Sequence, residues 1–250
     1  MIDQDEGIPI PVDGDTPGAL LFAKNWPALP HLVHGFSARC PIGFQTFEIA
    51  KHLGAVKTKI ETLKQVHGNH IRLVTSDKSD ATIEADGMLT DRPNRLVTIR
   101  TADCVPVLLS APGAKIVGAI HAGLRGTAKG ICAKAIALCT EHWNITPEDI
   151  WIAMGPAISG CCYEVEHTVA KPLLDRWGDG NDRTWRRTGQ KGYLDLRSIN
   201  RNQLMSAGIP RENIENVGGC THCHPAVYES YRRDGPKAGR HFSAIGRISS

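Results

Sequence analysis

The chain has 250 residues, 41% of them hydrophobic and 22% charged, with a formal net charge of +3. That length supports a sizeable core, and so small a charge leaves no electrostatic footprint for a nucleic acid. No apolar run approaches the roughly 18 residues of a membrane span, so neither a nucleic acid nor a membrane is expected as a partner.

Residues 1–18 read "MIDQDEGIPIPVDGDTPG", acidic and rich in Pro and Gly, and predict a flexible N-terminal extension ahead of a single domain over 19–250. No basic region followed by an apolar stretch marks a secretory signal. The eight cysteines do not need a disulfide framework in a chain this long, and a reduced, cytoplasmic protein is expected.

"LKQVHGNHI" (63–71) places His67 and His70 around a Gly-Asn turn. Further on, "LVTIRTADCVPVLLS" (96–110) and "KIVGAIHA" (115–122) read as strands, with a turn at residues 111–114 between them. A simple fold-back about Pro112-Gly113 sets Cys104 directly opposite His121, with Cβ atoms about 4.5–5.5 Å apart. Pro106, tolerated only at an edge or a bulge, threatens that register. A thiol beside an imidazole serves packing, a nucleophile with its base, or two metal ligands. A histidine from the 63–71 segment would make a Cys-His-His set, three protein ligands with the fourth position open.

"GTAKGICAKAIALCTEHW" (126–143) predicts one helix whose buried stripe runs through Ile131, Ala135, Leu138, Cys139 and His142. Cys132 and Cys139 are assigned to core filling. "DIWIAMGPAIS" (149–159) predicts a strand stopped by Gly-Pro. A helix is expected over 166–177, with a break or start at Pro172. Asp195 is placed to cap a helix over 196–207 that Gly208 closes. "NIENVGGC" (213–220) returns as a strand. Strands and helices mix without strict βαβ alternation, which favours α+β.

"DRTWRRTGQK" (182–191) is read as a solvated basic loop rather than a nucleic-acid loop. "CTHCHP" (220–225) suggests a zinc finger through Cys220, Cys223, His222 and His224, but no second CxxC pair stands at finger spacing and Cys161-Cys162 are adjacent, so a structural role is expected in place of a second metal.

The stretches "GFSAR" (35–39), "LKQVHG" (63–68), "ADGMLT" (85–90), "TADCVPVLL" (101–109) and "HAGLRG" (121–126) resemble, in order, motifs of the YfiH family. "MGPAISGCCYEV" (154–165), "YLDL" (193–196), "CTHC" (220–223) and "SYRRDG" (230–235) extend the resemblance over roughly residues 34–247. Members of that family are described as polyphenol oxidases and purine nucleoside phosphorylases. The resemblance implies a layered α+β sandwich of mixed β-sheets flanked by helices. It implies a zinc ion held by His67, Cys104 and His121, with copper the lesser candidate. It also implies phosphorolysis of adenosine, inosine and methylthioadenosine, with adenosine deaminase activity beside it.

Two departures stand out. Leu124 replaces the tryptophan of the family's "HAGWRG". After "GFSAR", "CPIGFQTFEIAKHLG" (40–54) replaces a Gly/Ser loop and a Ser-Leu-Asn segment, although Arg39 remains.

Arg39 and Arg125, each adjoining a matched motif, are the candidates for phosphate, which a guanidinium fork binds in a bidentate way. Asp86 and Asp103 are candidates to orient a histidine ligand, with turn capping the competing role. Three further readings use the same trio: Cys104 as a nucleophile with His121 as base on an amide or ester, copper-dependent phenol oxidation, and a non-catalytic zinc protein.

Overall fold

The computed structural model describes residues 20–27, 31–40, 45–76, 82–113, 115–178, 180 and 184–248. The extension expected over 1–18 lies outside them. In chain order the first elements are β1 (Leu20–Leu21), β2 (Leu32–Ser37), α1 (Thr46–His52), β3 (Lys59–Glu61), β4 (Ile71–Leu73) and β5 (Gly87–Thr90). They are followed by β6 (Arg95–Thr101), β7 (Val105–Ala111), β8 (Ile116–Ala122), α2 (Leu124–Ala128), α3 (Ile131–Trp143), β9 (Trp151–Met154) and β10 (Glu164–Glu166). The chain continues through α4 (His167–Trp177), β11 (Trp185–Thr188), β12 (Lys191–Leu194), α5 (Leu196–Ser206), β13 (Ile214–Asn216), α6 (Tyr231–Asp234) and β14 (His241–Arg247).

The strands form a five-stranded sheet in the order β1-β2-β14-β6-β3 and a six-stranded sheet in the order β13-β9-β7-β8-β5-β4. A small sheet, β10-β12-β11, lies beside them. Both large sheets are mixed: β3 runs parallel to β6, and β4 to β5 and β13 to β9, while the remaining pairs are antiparallel. The two sheets face each other through Phe36, Val97, Ile99 and Ile245 on one side and Met88, Leu108, Val117, Ala119 and Ala153 on the other.

The opposite face of the six-stranded sheet, with Val105, Val107, Leu109 and Ile120, packs on Ile131, Ala135 and Ile136 of α3 and Ile199 and Leu204 of α5. On the far side, Ile49 and Ala50 of α1 cover Leu96, Phe242 and Ala244. The result is the expected α+β sandwich of mixed sheets flanked by helices. Every residue of β7 and β8 is buried, because both faces of these central strands are covered; hence their near-continuous apolar sequences. Among the described residues no helix is long and apolar enough to cross a membrane.

Several expectations change in detail. The run 96–110 is two strands in different sheets, broken at residues 102–104, where Asp103 takes φ 83°. The run 126–143 is two helices, α2 and α3, parted by Gly130 at φ 74°. Cys132 joins Cys139 on the buried face of α3, whereas His142 is exposed. Helix α4 runs through Pro172 without a break. Asp195 caps α5 as expected, accepting from the Arg197 and Ser198 amides at 2.8 and 3.1 Å. The divergent 40–54 stretch contains α1, which closes the outer face of the five-stranded sheet.

Candidate metal centre and active site

The β7–β8 hairpin turns through residues 112–115, not through a two-residue loop. Its register pairs Val105 with Ala122 and Pro106 with His121. Cys104 therefore stands level with Gly123, and His121 is its diagonal neighbour. Because the register moves by two residues, the side chains stay on the same face, and a long imidazole spans the diagonal.

The donor atoms of His67, Cys104 and His121 all lie within 4.8 Å of one another. The His67 and His121 rings meet edge to face with centroids 4.8 Å apart. His121 is buried, Cys104 half-buried and His67 exposed, so the cluster opens on the His67 side. Gly123 leaves the room for it: a Cβ there would lie 3.0 Å from Cys104 Sγ, 3.3 Å from His67 Cδ2 and 3.5 Å from His121 Cε1.

Two of the segments that deliver these groups pass through left-handed backbone. His67 takes φ 59° and Asp103 φ 83°, conformations that non-glycine residues hold only when their surroundings enforce them. For His67 the enforcing group is Asp86. Its buried carboxylate accepts from the His67 amide at 2.9 Å and the Gly68 amide at 2.6 Å. The same carboxylate meets His121 Nδ1 at 2.8 Å. This keeps a proton on Nδ1 and turns Nε2 to Cys104, so that Nε2 is the atom a metal would take in exchange for its proton. A carboxylate on Nδ1 is the usual outer partner of a metal-binding histidine. Capping at Gly87 is not what Asp86 does.

Asp103, the other candidate, faces away from the histidines. Its carboxylate accepts from Thr221 Oγ1 and from the Arg232 amide, both at 2.6 Å, and its carbonyl accepts from the Ile158 amide at 3.0 Å. It locks the turn ahead of Cys104.

Electrostatics follow from this arrangement. Burial pushes the Cys104 thiol up, but hydrogen bonds from His121 and then His67 outweigh it and bring the group down to about 6. Burial opposes charging of His121, yet Asp86 and then Cys104 raise it to about 9. Burial works against the Asp86 carboxylate too; His121 and the Gly68 amide prevail and hold it below the ordinary range. Without a metal, the trio is a thiolate held among imidazole donors at neutral pH. A soft thiolate, two imidazoles and a fixed tautomer fit a zinc-class ion.

The remaining candidates fall elsewhere. His70 Nδ1 meets the Glu84 carbonyl at 2.9 Å, outside the trio. Arg39 is engaged with Glu229 at 3.5 Å, Asp234 at 4.0 Å and the Tyr228 carbonyl at 3.2 Å. Arg125 is exposed on α2, next to the His121 strand end. Leu124, at the tryptophan position, packs on the core under the six-stranded sheet. The stretch 182–191 is in part the β11–β12 hairpin, with Arg186 over the Tyr193 ring at 4.6 Å. A cleft of about 620 Å³ lined by Thr62, Lys64, Gln65, Thr98 and Arg100 adjoins the segment that carries His67.

Sequence reasoning missed two features and left the parts of a third unjoined. One is Gly123, whose lack of a Cβ is legible only once the contacts are known. Another is Tyr163, stacked under the Arg232 guanidinium at 4.8 Å. The third is a second cluster, in which Cys161 and Cys162 meet Cys220 and Cys223.

Two facing mixed sheets with helices on both outer sides, and a Cys-His-His donor set at the head of the central hairpin, define an α+β sandwich protein equipped to ligate a metal. The profile of the family described as multi-copper polyphenol oxidoreductase laccase matches residues 45–248. The chain is 40% identical over 193 residues to purine nucleoside phosphorylase YlmD of Geobacillus stearothermophilus, covering 74% of this chain and 70% of that protein. It is 33% identical over 209 residues to adenosine deaminase RL5 of an unknown prokaryotic organism, covering 80% and 79%.

The crystal structure of the Geobacillus stearothermophilus YlmD superposes with a TM-score of 0.81 at 32% identity, over 88% of this chain and 93% of that one. Bacillus licheniformis YfiH follows at 0.76 and 31%, over 86% and 92%. The chain belongs to this family, the YfiH or laccase-like family, as its motifs led one to expect.

Proposed function

We propose that the protein is a zinc-dependent purine nucleoside enzyme. It would phosphorolyse adenosine, inosine or methylthioadenosine to the base and the (methylthio)ribose 1-phosphate, with adenosine deamination as a side activity. One observation carries the reading: the His67, Cys104 and His121 donors converge within 4.8 Å, with His121 oriented by Asp86. The names borne by the relatives, purine nucleoside phosphorylase and adenosine deaminase, supply the substrate class.

When bound by these three residues, the ion supplies Lewis acidity next to the substrate. The chain's own groups do the rest. Asp86 keeps the proton on His121 Nδ1 so that Nε2 remains a donor. Cys104 enters as a thiolate because His121 and His67 stabilise that form. Arg125, exposed beside the site, would grip phosphate through its fork. Arg39 would have to exchange its carboxylate neighbours for phosphate, which makes it the weaker candidate of the two. A reducing, cytoplasmic setting suits a site that needs a free thiolate.

Incubating the purified, zinc-loaded protein with adenosine, with and without phosphate, and identifying the products by mass spectrometry tests this. Adenine plus ribose 1-phosphate, formed only with phosphate, is the expected result; inosine regardless of phosphate would make the deaminase the main activity. Adenosine, inosine and methylthioadenosine all left unchanged by a metal-loaded sample would sink the proposal.

A second reading rests on the pairing of a Cys104 thiol down at about 6 with a His121 up at about 9: a thiolate nucleophile with an imidazolium partner. Full activity after chelation, abolished by a thiol-directed label on Cys104, would establish it. Loss of activity on chelation alone would exclude it.

A further inference from the structure

The second cysteine cluster is absorbed by nothing above. Cys161 and Cys162 lie in the turn after β9, and Cys220 and Cys223 in the segment after β13. The two strands run in parallel, and an isolated bridge between Ala157 and Cys220 continues the pairing past their ends. Residues some sixty apart in sequence are thereby set side by side. Cys161 Sγ and Cys162 Sγ approach Cys223 Sγ at 3.4 and 3.2 Å, and all four sulfur atoms fall within 4.8 Å of one another.

We infer that these four cysteines form a second metal site, a tetrahedral four-thiolate centre that takes one zinc ion. With Zn–S bonds of about 2.3 Å, the sulfurs of a tetrahedral site stand about 3.8 Å apart, within the span seen here. An iron–sulfur cluster needs its thiolates spread around two or more irons, a wider set than this. With no oxygen donor in the set, magnesium and calcium are poor fits. One disulfide to Cys223 would use a single partner and strand the other two thiols.

A second observation is independent of sulfur spacing. Cys220 Sγ receives the Ser159 amide at 3.4 Å. A backbone N–H aimed at sulfur suits a thiolate ligand, whose charge it partly offsets. The Arg233 guanidinium donates to the carbonyls of Thr221 and His222 at 2.9 and 3.1 Å. Paired with Asp234 at 2.7 and 2.9 Å, that guanidinium fixes the backbone of the Cys220–Cys223 turn. Binding releases the thiol protons to solvent and requires no change of oxidation state.

The site clamps the two segments that shape the first centre. Tyr163 follows Cys162 directly, and Thr221 and Arg232, which hold Asp103 ahead of Cys104, belong to the segment that carries Cys220 and Cys223. The ion is structural, and it braces the turn that presents Cys104.

Protein purified anaerobically should contain about two zinc ions per chain, falling to about one in Cys104→Ser and to about one in the double variant Cys161→Ser/Cys223→Ser. Cobalt substitution of the wild type gives a measurement that needs no variant. Thiolate-to-cobalt absorption scales with the number of Co–S bonds, so saturated protein should show roughly five times the intensity of a one-thiolate site. The inference is overturned by a single zinc per chain that Cys104→Ser removes. It is equally overturned by cobalt absorption of one thiolate only, or by a Cys223 disulfide in anaerobically isolated protein.

Discussion

At Asp86 a single carboxylate serves two arms of the site. It holds the backbone of the His67 segment through the amides of Val66, His67 and Gly68 and the ring of His121 through Nδ1. Asn at this position keeps the size but loses an acceptor and turns a donor towards the amides. Asp86→Asn is therefore expected to weaken metal binding or activity about 10- to 100-fold. Competition with a chromophoric chelator, run beside kcat, measures it; an unchanged metal affinity would contradict the positioning role.

Two other histidines are built for the neutral state. His34 Nε2 accepts the Ala23 amide at 3.1 Å, and burial pushes the group down to about 4. His241 Nε2 accepts the Glu229 amide at 2.8 Å; burial first, then Arg39, Arg233 and Arg240, push it down to about 3. Both titrate near 6.5 once unfolded. The unfolded chain thus takes up these protons first. Their contribution is complete above pH about 6.5 and drains as pH falls towards 4 and then 3, by up to about 1.4 kcal/mol per pH unit for each. Replacing both with Gln keeps an acceptor and removes the titration. The urea midpoint of the double variant should fall less steeply with pH between 6.5 and 4 than that of the wild type; an identical slope would refute the assignment.

At the scale of elements, the hairpin shows what a sequence does and does not reveal. The alternation of β7 and β8 puts Cys104 and His121 on a common face whatever even shift the turn introduces, so the pairing was legible. The four-residue turn was not, since Lys115 enters it at φ 61°, a conformation its residue type does not advertise. The single strand expected over 96–110 fails for a similar reason. Asp103 is forced into left-handed backbone by Thr221 and Arg232, partners more than a hundred residues away. Cys161-Cys162 and the Cys220/Cys223 pair were visible in the sequence but were not joined into one cluster, because parallel pairing of β9 with β13, a nonlocal event, is what assembles it.

Helix α2 carries a prediction of its own. Its N-cap Gly123 has φ −77° and ψ 171°, which alanine adopts without strain, so any penalty comes from contact alone. The added methyl would press on Cys104 Sγ, His67 and His121. Gly123→Ala should leave the melting temperature of the metal-free protein nearly unchanged while lowering metal occupancy and kcat/KM about 10- to 100-fold. A variant with full metal occupancy and normal turnover would show that the pocket yields.

Across the whole molecule, one buried charge joins the two large sheets. Glu61 of β3, on the edge of the five-stranded sheet, is fully buried and meets Arg95 of the neighbouring β6 at 2.9 Å. On its other side stands Arg72 of β4, the edge strand of the six-stranded sheet, at 3.6 Å. The segment that carries His67 runs between β3 and β4, so Glu61 and Arg72 tie its two ends together as they tie the sheets. Glu61→Gln keeps the volume but deprives two largely buried guanidiniums of their shared carboxylate, a loss worth about 3–5 kcal/mol. At about 2–4 °C per kcal/mol in a domain of this size, the melting temperature should drop by about 10 °C. A double-mutant cycle with Arg72→Met separates the cross-sheet pair from the pair within the sheet. Coupling of about 1 kcal/mol or more would place part of the stability in the tie between sheets. Coupling near zero would assign the whole effect to Arg95 and leave the cross-sheet pair without a share in holding the His67 segment.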